Sequence, residues 1–156
     1  MTGRGHRALG LAVGVALLPF VEPLTGFVGG ALVVAGAWLG STAPDWLEIR
    51  LSHGPGGSGT IIRHRTLTHV LLFWIFLCFF SGCLIFLPGR AVEGCALYGF
   101  ALGGVSHWIG DVGTPMGVPV WHPFRRISVR LWSSESEMVP VALAWAGVGL
   151  IYALTL

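Results

Sequence analysis

The sequence contains no lysine and few charged residues of any kind. Its nine basic residues are all arginine, seven residues are acidic, and charged side chains make up only 10% of the 156 residues. Soluble globular domains carry roughly one quarter charged residues, whereas this chain is 54% hydrophobic with a mean hydropathy of +0.77. The composition therefore excludes an ordinary water-soluble domain and predicts an integral membrane protein.

Cysteine is also scarce. Cys78, Cys83 and Cys95 lie in apolar stretches without CxxC spacing, which is typical of small buried residues and excludes a disulfide framework or a zinc knuckle. The N-terminal segment lacks an A-x-A-like cleavage motif, so we predict a retained first helix rather than a removed signal peptide.

Long hydrophobic runs, in contrast, account for most of the chain. A membrane span needs about 20 mostly apolar residues, so five such runs predict an all-α bundle of four to five transmembrane helices in a single domain, 1–156. The first run is short, and the tight connection Glu22–Leu24 predicts that the first two helices form an antiparallel hairpin. The runs are 8–21, 25–42, 67–87, 91–112 and 138–156.

Four pairs of glycines have the small-xxx-small spacing that lets helices approach closely in lipid. The alternative interpretation is that glycine is simply common in membrane helices. The pairs are Gly10 and Gly14, Gly26 and Gly30, Gly36 and Gly40, and Gly99 and Gly103.

The arginines indicate an orientation. With five spans, eight of the nine arginines fall on one side of the membrane and only Arg90 falls on the other. The positive-inside rule then places the N-terminus in the cytoplasm and the C-terminus outside. Because this rule already explains the few basic residues, no nucleic-acid partner is expected.

Residues of metal-ligand type gather at the cytoplasmic end of this predicted bundle. They are far apart in the sequence and have no local reason to converge, and ionisable groups bordering lipid are usually functional. His107 and Asp111 are four residues apart, on one face of a helix. The candidates are His6 before the first helix, Asp45 after the second, His64 and His69 at the start of the third, and His107 and Asp111 closing the fourth.

A mixed set of imidazoles and carboxylates suits zinc, with manganese or iron as alternatives. The alternative interpretation treats each residue as an ordinary polar helix end, with Asp45 capping a turn and Asp111 pairing with Arg125 or Arg126. This alternative can explain any one of the six residues, but it is less credible that all six meet at one face by coincidence. We therefore predict a metal site.

Motifs spread over most of the chain resemble those of the YdjM-like membrane-bound metal-dependent hydrolases, also described as LexA-binding inner-membrane-associated hydrolases. The last motif is the most specific of them. The motifs are Met1-Thr2-x-x-Gly5-His6, Pro44-Asp45, His64-Arg65-x-x-Thr68-His69 and Ser106-His107-x-x-x-Asp111-x-x-Thr114-Pro115-x-Gly117-Val118-Pro119-x-x-x-Pro123.

The resemblance implies a bacterial inner-membrane protein that uses a divalent transition metal, most often zinc, to activate water against a phosphoester or phospholipid-like substrate. A similar use of His and Asp in zinc-dependent phospholipase C supports this by analogy. The implied roles are Asp45 or Glu48 as general base, Arg65, Arg125 and Arg126 as phosphate-binding groups, and His122 as a second-sphere or substrate contact.

The chain departs from the family pattern in two places, of which one is Val70, where the family usually has a serine after Thr-His. It has Pro44-Asp45-Trp46-Leu47-Glu48 where the family usually reads Pro-Asp-x-Asp-His, so either Glu48 replaces a ligand or one metal position is lost. This departure, with the LexA-binding name, supports a second hypothesis: a membrane adaptor or assembly component that binds a protein partner and keeps a structural metal. A transporter is disfavoured, because the polar residues stop at one face instead of forming a path.

Overall fold

The architecture was determined from a computed structural model that describes residues 1–47, 50–52, 58–60, 65–133 and 136–155, with only the backbone described at 50–52 and 58–60. Two predicted site residues, Glu48 and His64, lie outside these ranges. The described chain is mostly helical, as predicted. Its helices are α1 (Gly3–Ala16), α2 (Leu18–Gly40), α3 (Ala43–Trp46), α4 (Leu71–Ile85), α5 (Ala91–Val112) and α6 (Met138–Thr155).

Two short antiparallel ribbons and one 3₁₀ turn complete the described structure. Strand β1 (Arg50–Ser52) pairs with β2 (Ser58–Thr60), and β3 (Val118–Pro119) pairs with β4 (Arg126–Ile127). The 3₁₀ turn covers Leu67–His69 and immediately precedes α4. These connections hold polar residues at one end of the helices.

Helix α1 begins earlier than the hydrophobic pattern predicts. The Thr2 hydroxyl accepts a hydrogen bond from the Gly5 N–H at 3.3 Å, and threonine is a favoured N-cap for this reason. His6 therefore lies in the first turns of α1, and the prediction that it precedes the helix is wrong.

The hairpin of the first two helices is present, but its turn is not at 22–24. Only Leu17 separates the end of α1 from the start of α2. The chain reverses inside α2 at Gly26, whose φ of 72° suits glycine. Beyond this kink the chain runs back along α1, because Gly10 lies against Ser41 and Gly14 against Val34.

Glycines form the contact between α2 and the central helix α5. A Cβ atom at Gly40 would overlap the Phe100 carbonyl group, and one at Gly99 would overlap the Val33 carbonyl oxygen. Close backbone approach therefore explains these glycines, as the small-xxx-small spacing predicts. Gly26 differs, since a Cβ there would meet open space.

The outer surface of the bundle is apolar. The helical stretch Gly3–Gly40 and helix α6 are long and apolar enough to cross a membrane, whereas α4 is apolar but shorter. Large side chains on α4 face outward, Phe79 being 73% exposed. These features support a membrane protein, and the number of four to five spans stays a prediction.

Candidate metal centre

Helix α5 contributes two buried donors to the predicted site. His107 and Asp111 lie one turn apart, and the His107 Nε2 atom is 3.4 Å from Asp111 Oδ2. Both side chains are within 1% of full burial. The sequence spacing therefore produces the shared face that it predicts.

Two more donors reach His107 from the connections at this end. The His69 Nε2 atom, from the turn before α4, lies 3.1 Å from His107 Nε2. Asp45 Oδ1, from α3, lies 3.4 Å from the His69 nitrogen and 3.7 Å from the His107 nitrogen. Asp45, His69 and His107 thus form one compact group of potential ligands.

His6 forms a second group with the same helix. Its ring stacks on the His107 ring with centroids 3.7 Å apart, and its Nε2 atom is 3.3 Å from Asp111 Oδ1. His6, His107 and Asp111 are the second set of potential ligands, so His107 belongs to both. We refer to these five residues together as the donor cluster.

The two oxygens of Asp111 have different surroundings. Oδ1 accepts hydrogen bonds from the Met1 amine and from Arg65 Nη2, each at 2.8 Å. Oδ2 faces the imidazoles of His107 and His69, at 3.4 and 3.9 Å. The carboxylate is therefore neutralised on one side and open to a cation on the other.

Arg65 is buried and directed into the cluster. Its Nη1 atom also donates to Thr114 Oγ1 at 3.0 Å and to the Gly117 carbonyl at 3.3 Å, and its backbone has a φ of 57°. Asp111 therefore pairs with Arg65, and the alternative pairing with Arg125 or Arg126 is wrong.

The hydrogen bond at His107 Nδ1 determines which ring nitrogen of this residue can bind a metal. Its Nδ1 atom lies 2.8 Å from the Ser41 carbonyl oxygen, which can only accept, so Nδ1 carries the proton. In the neutral ring Nε2 then presents a lone pair to the space shared with His69 and the carboxylates. Fixing the tautomer through the other ring nitrogen is the usual support of a metal-binding histidine.

The distances also match those of a coordination sphere. Donor atoms about 2.1 Å from a four-coordinate zinc ion lie about 3.4 Å from each other. The His107 and His69 nitrogens each lie between 3.1 and 3.9 Å from each other and from a carboxylate oxygen of both Asp45 and Asp111. The residues present therefore fit a divalent metal.

Local electrostatics keep the open side of the cluster ready for a cation. Burial opposes ionisation of Asp45, but the hydrogen bond from His69 and the nearby imidazoles outweigh it and lower the Asp45 pKa to about 2. Burial disfavours the charged form of His69 and lowers its pKa, although the hydrogen bond with Asp45 acts in the opposite direction. A charged carboxylate and a neutral imidazole at neutral pH are the forms that bind metals.

The predicted substrate-binding residues lie elsewhere. His122 and Arg125 are exposed on the segment between β3 and β4, and Arg126 is exposed at the start of β4; the His122 ring packs against Phe124. Within the described residues they do not join the donor cluster. A role for them depends on a ligand large enough to reach both places.

Sequence reasoning missed three supporting groups. The Ser41 carbonyl holds His107, the Thr68 hydroxyl lies 3.1 Å from His69 Nδ1, and the Thr114 hydroxyl accepts from Arg65. Thr68 and Thr114 stand inside the quoted motifs, so their positions were a usable signal. Ser41 acts through its backbone, which leaves no mark in the sequence.

Comparison with known proteins identifies one family. The family model described as YdjM inner membrane protein matches residues 1–155, which is nearly the whole chain. The comparisons with curated proteins and with solved structures returned no match.

Proposed function

Because this chain belongs to the YdjM inner membrane protein family, we propose that its donor cluster serves a membrane-bound, metal-dependent hydrolase of phosphoester or phospholipid-like substrates. The observation that carries the proposal is the convergence of two imidazole nitrogens and two carboxylates from three separate chain segments, with the nitrogens 3.1 Å from each other and 3.4 to 3.9 Å from the carboxylate oxygens. Ionisable groups bordering lipid cost free energy, so they usually mark a functional site.

In this proposal His69, His107, Asp45 and Asp111 hold one divalent ion, for which zinc is the best match and manganese or iron are alternatives. When bound, such an ion acts as a Lewis acid and makes water more acidic. His6 contacts Asp111 on the neutralised side, so it orients that carboxylate rather than completing the sphere.

Asp45 and two exposed arginines are the side chains that would meet the substrate in this proposal. Asp45 is the most exposed donor, with 40% of its side chain accessible, whereas Asp111 is 1% exposed. Among the donors that the structure describes, Asp45 is therefore the first that a substrate meets, and in this proposal it is a ligand at the mouth of the site rather than the general base that the resemblance also allows. Arg125 and Arg126 offer exposed guanidinium groups for a phosphate.

A second candidate is a membrane adaptor in which the metal is structural and a protein partner is bound. The observation in its favour is the closed side of the cluster, where Arg65 and the Met1 amine already saturate Asp111 Oδ1. Closed coordination is typical of structural sites, while catalytic sites keep one position open.

Metal analysis followed by activity screening tests the proposal. Protein purified in mild detergent should carry at least one zinc, manganese or iron ion per chain by elemental mass spectrometry. A His107→Ala, Asp111→Ala double variant should lose it, with Arg90→Ala as a surface control that keeps it. Loaded protein should then hydrolyse phosphoesters. Metal without turnover on any phosphoester would favour the adaptor, and no metal after reconstitution would overturn both.

We also infer from the arginine distribution that the cluster faces the cytoplasm. A phosphatase fused to the C-terminus should be active outside and one fused before α1 should be inactive. The reverse pattern would contradict this orientation.

A further inference from the structure

An apolar groove lies between the 3₁₀ turn before α4 and the segment that follows β3. It has a volume of about 550 Å³, within the range of small-molecule sites. Most of its lining is apolar and accessible, Trp121 being 67%, Leu67 57% and Phe73 49% exposed. The lining residues are Leu47, Leu67, Thr68, Val70, Phe73, Trp121 and Pro123.

The groove and the donor cluster share a wall. Thr68 lines the groove and its hydroxyl contacts His69 Nδ1 at 3.1 Å. Leu47, another lining residue, follows directly after the helix that carries Asp45. The groove therefore lies next to Asp45, the most exposed of the donors in the described part of the chain.

Two hydrogen bonds to backbone carbonyls fix the position of the segment that lines the groove. The Leu72 N–H donates to the Val120 carbonyl at 3.1 Å, and the Trp108 indole N–H donates to the Pro119 carbonyl at 2.8 Å. These bonds attach the segment carrying Trp121 to the start of α4 and to α5. The groove is thus built from fixed elements.

Positive charge lies beyond the groove on the same segment. Arg125 and Arg126 follow Pro123 by two and three residues and are both exposed. A cationic rim beside an apolar groove, in a family of the inner membrane, complements a molecule with an anionic head and a hydrocarbon chain. A second apolar groove on α4, around Phe79 and about 470 Å³ in volume, has only apolar residues, a glycine, a tyrosine and cysteines in its lining.

We propose that the groove between the 3₁₀ turn and the β3–β4 segment binds the alkyl chain of the substrate, and that the substrate is a long-chain phosphoester lipid. This inference rests on the proposed function for its catalytic part, since the chain would direct the phosphoester towards Asp45. The groove itself is a binding site that exists with or without turnover.

Photo-crosslinking tests the site independently of catalysis. The full chain is placed in phosphatidylcholine nanodiscs containing an alkyl phosphate with a diazirine at the end of its chain. Peptides covering 67–73 and 121–123 should be labelled, and a trimethylammonium probe with the same chain should label them less. Labelling spread evenly over α4 and α6, or crosslinks to a second copy of the chain, would overturn the proposal.

Two matched variants sharpen the test. Phe73→Gln should reduce labelling about tenfold, because burial of a phenylalanine side chain against hydrocarbon is lost. Phe79→Gln makes the same change on the same helix in the other groove and should leave labelling unchanged. Equal effects of the two variants would contradict a specific groove.

Chain-length dependence separates this inference from the proposed function. If both hold, kcat/KM for short-chain, water-soluble alkyl phosphoesters should rise about fourfold per added methylene until the groove is filled, as expected for methylene groups transferred from water into an apolar site. Turnover without chain-length dependence or groove labelling would reject the alkyl-chain site alone. Groove labelling without turnover on any chain length would support the site and reject the hydrolase.

Discussion

The two sides of the donor cluster differ although they share His107. On the closed side, His6, Arg65 and the Met1 amine all contact Oδ1 of a fully buried Asp111. On the open side, Asp45 is 40% exposed and faces His69. Asp111 therefore bonds to the protein's own cationic groups, whereas Asp45 is accessible to an ion or a substrate. Residue type alone does not distinguish these two carboxylates.

The largest expected effect is on the closed side. Asp111→Asn removes the negative charge opposite Arg65 and the Met1 amine, and breaking a buried ion pair typically costs about 3 to 5 kcal/mol. We expect a corresponding loss in the free energy of unfolding, measured by denaturant titration in detergent. A variant as stable as the wild type would show that the two sides are equivalent.

A helix-packing change should disturb both sides together. Gly40→Ala places a Cβ against the Phe100 carbonyl next to Ser41, whose carbonyl holds His107, and overpacking costs about 1 to 3 kcal/mol. Gly147→Ala on α6, where a Cβ meets nothing within 4 Å, is the matched control. We expect lower thermal stability and lower metal content for Gly40→Ala only.

On the open side the effect should fall on metal affinity rather than folding. Asp45→Asn removes a partly exposed carboxylate whose contacts among the described residues are with the imidazoles of His69 and His107. We expect zinc affinity to fall by at least about tenfold, the size typical of losing an outer-sphere partner alone, while the free energy of unfolding of the metal-free protein falls less than in Asp111→Asn. Competition with a chelator measures the first and denaturant titration the second.

The smallest effect is expected at the edge of the closed side. Glu137 accepts hydrogen bonds from the Thr2 N–H and hydroxyl, both at 2.7 Å. Burial opposes ionisation and is the largest single effect, but the two bonds from Thr2, together with the nearby Met1 amine and His6, outweigh it and lower the Glu137 pKa. Since the folded pKa is depressed, its stabilisation is present above the ordinary pKa and is lost as the pH falls through the folded pKa.

Glu137→Gln should therefore lower stability at pH 7 by at most about 1 kcal/mol, because the group is only partly buried and solvent screens its interactions. The difference from the wild type should shrink below pH 4.5, the ordinary value for this side chain. Unfolding curves at pH 7 and at acidic pH measure it, and a difference that grows on acidification would contradict this assignment.

The sequence predicts the site better where the signal is local. The spacing of His107 and Asp111 predicts their shared face because a single helix carries both residues. The start of α1 and the reversal at Gly26 were missed, because one depends on a threonine cap and the other on a single positive φ. Hydrophobic periodicity contains neither.

The pairing of Asp111 with Arg65 was also beyond the sequence. The two residues are 46 positions apart, and Arg65 was assigned to a substrate phosphate on its chemistry alone. Its burial depends on Thr114 and Gly117, which lie after α5 and meet it only in the folded chain. Long-range packing of this kind decides whether an arginine serves structure or substrate.

X-ray absorption at the zinc edge on the purified, zinc-loaded protein tests the central claim most directly. The account predicts a zinc ion coordinated by two imidazole nitrogens and carboxylate oxygens, with no sulfur ligand, and a changed spectrum in Asp45→Asn. Sulfur coordination, or a zinc signal no greater than in the His107→Ala, Asp111→Ala double variant, would contradict it.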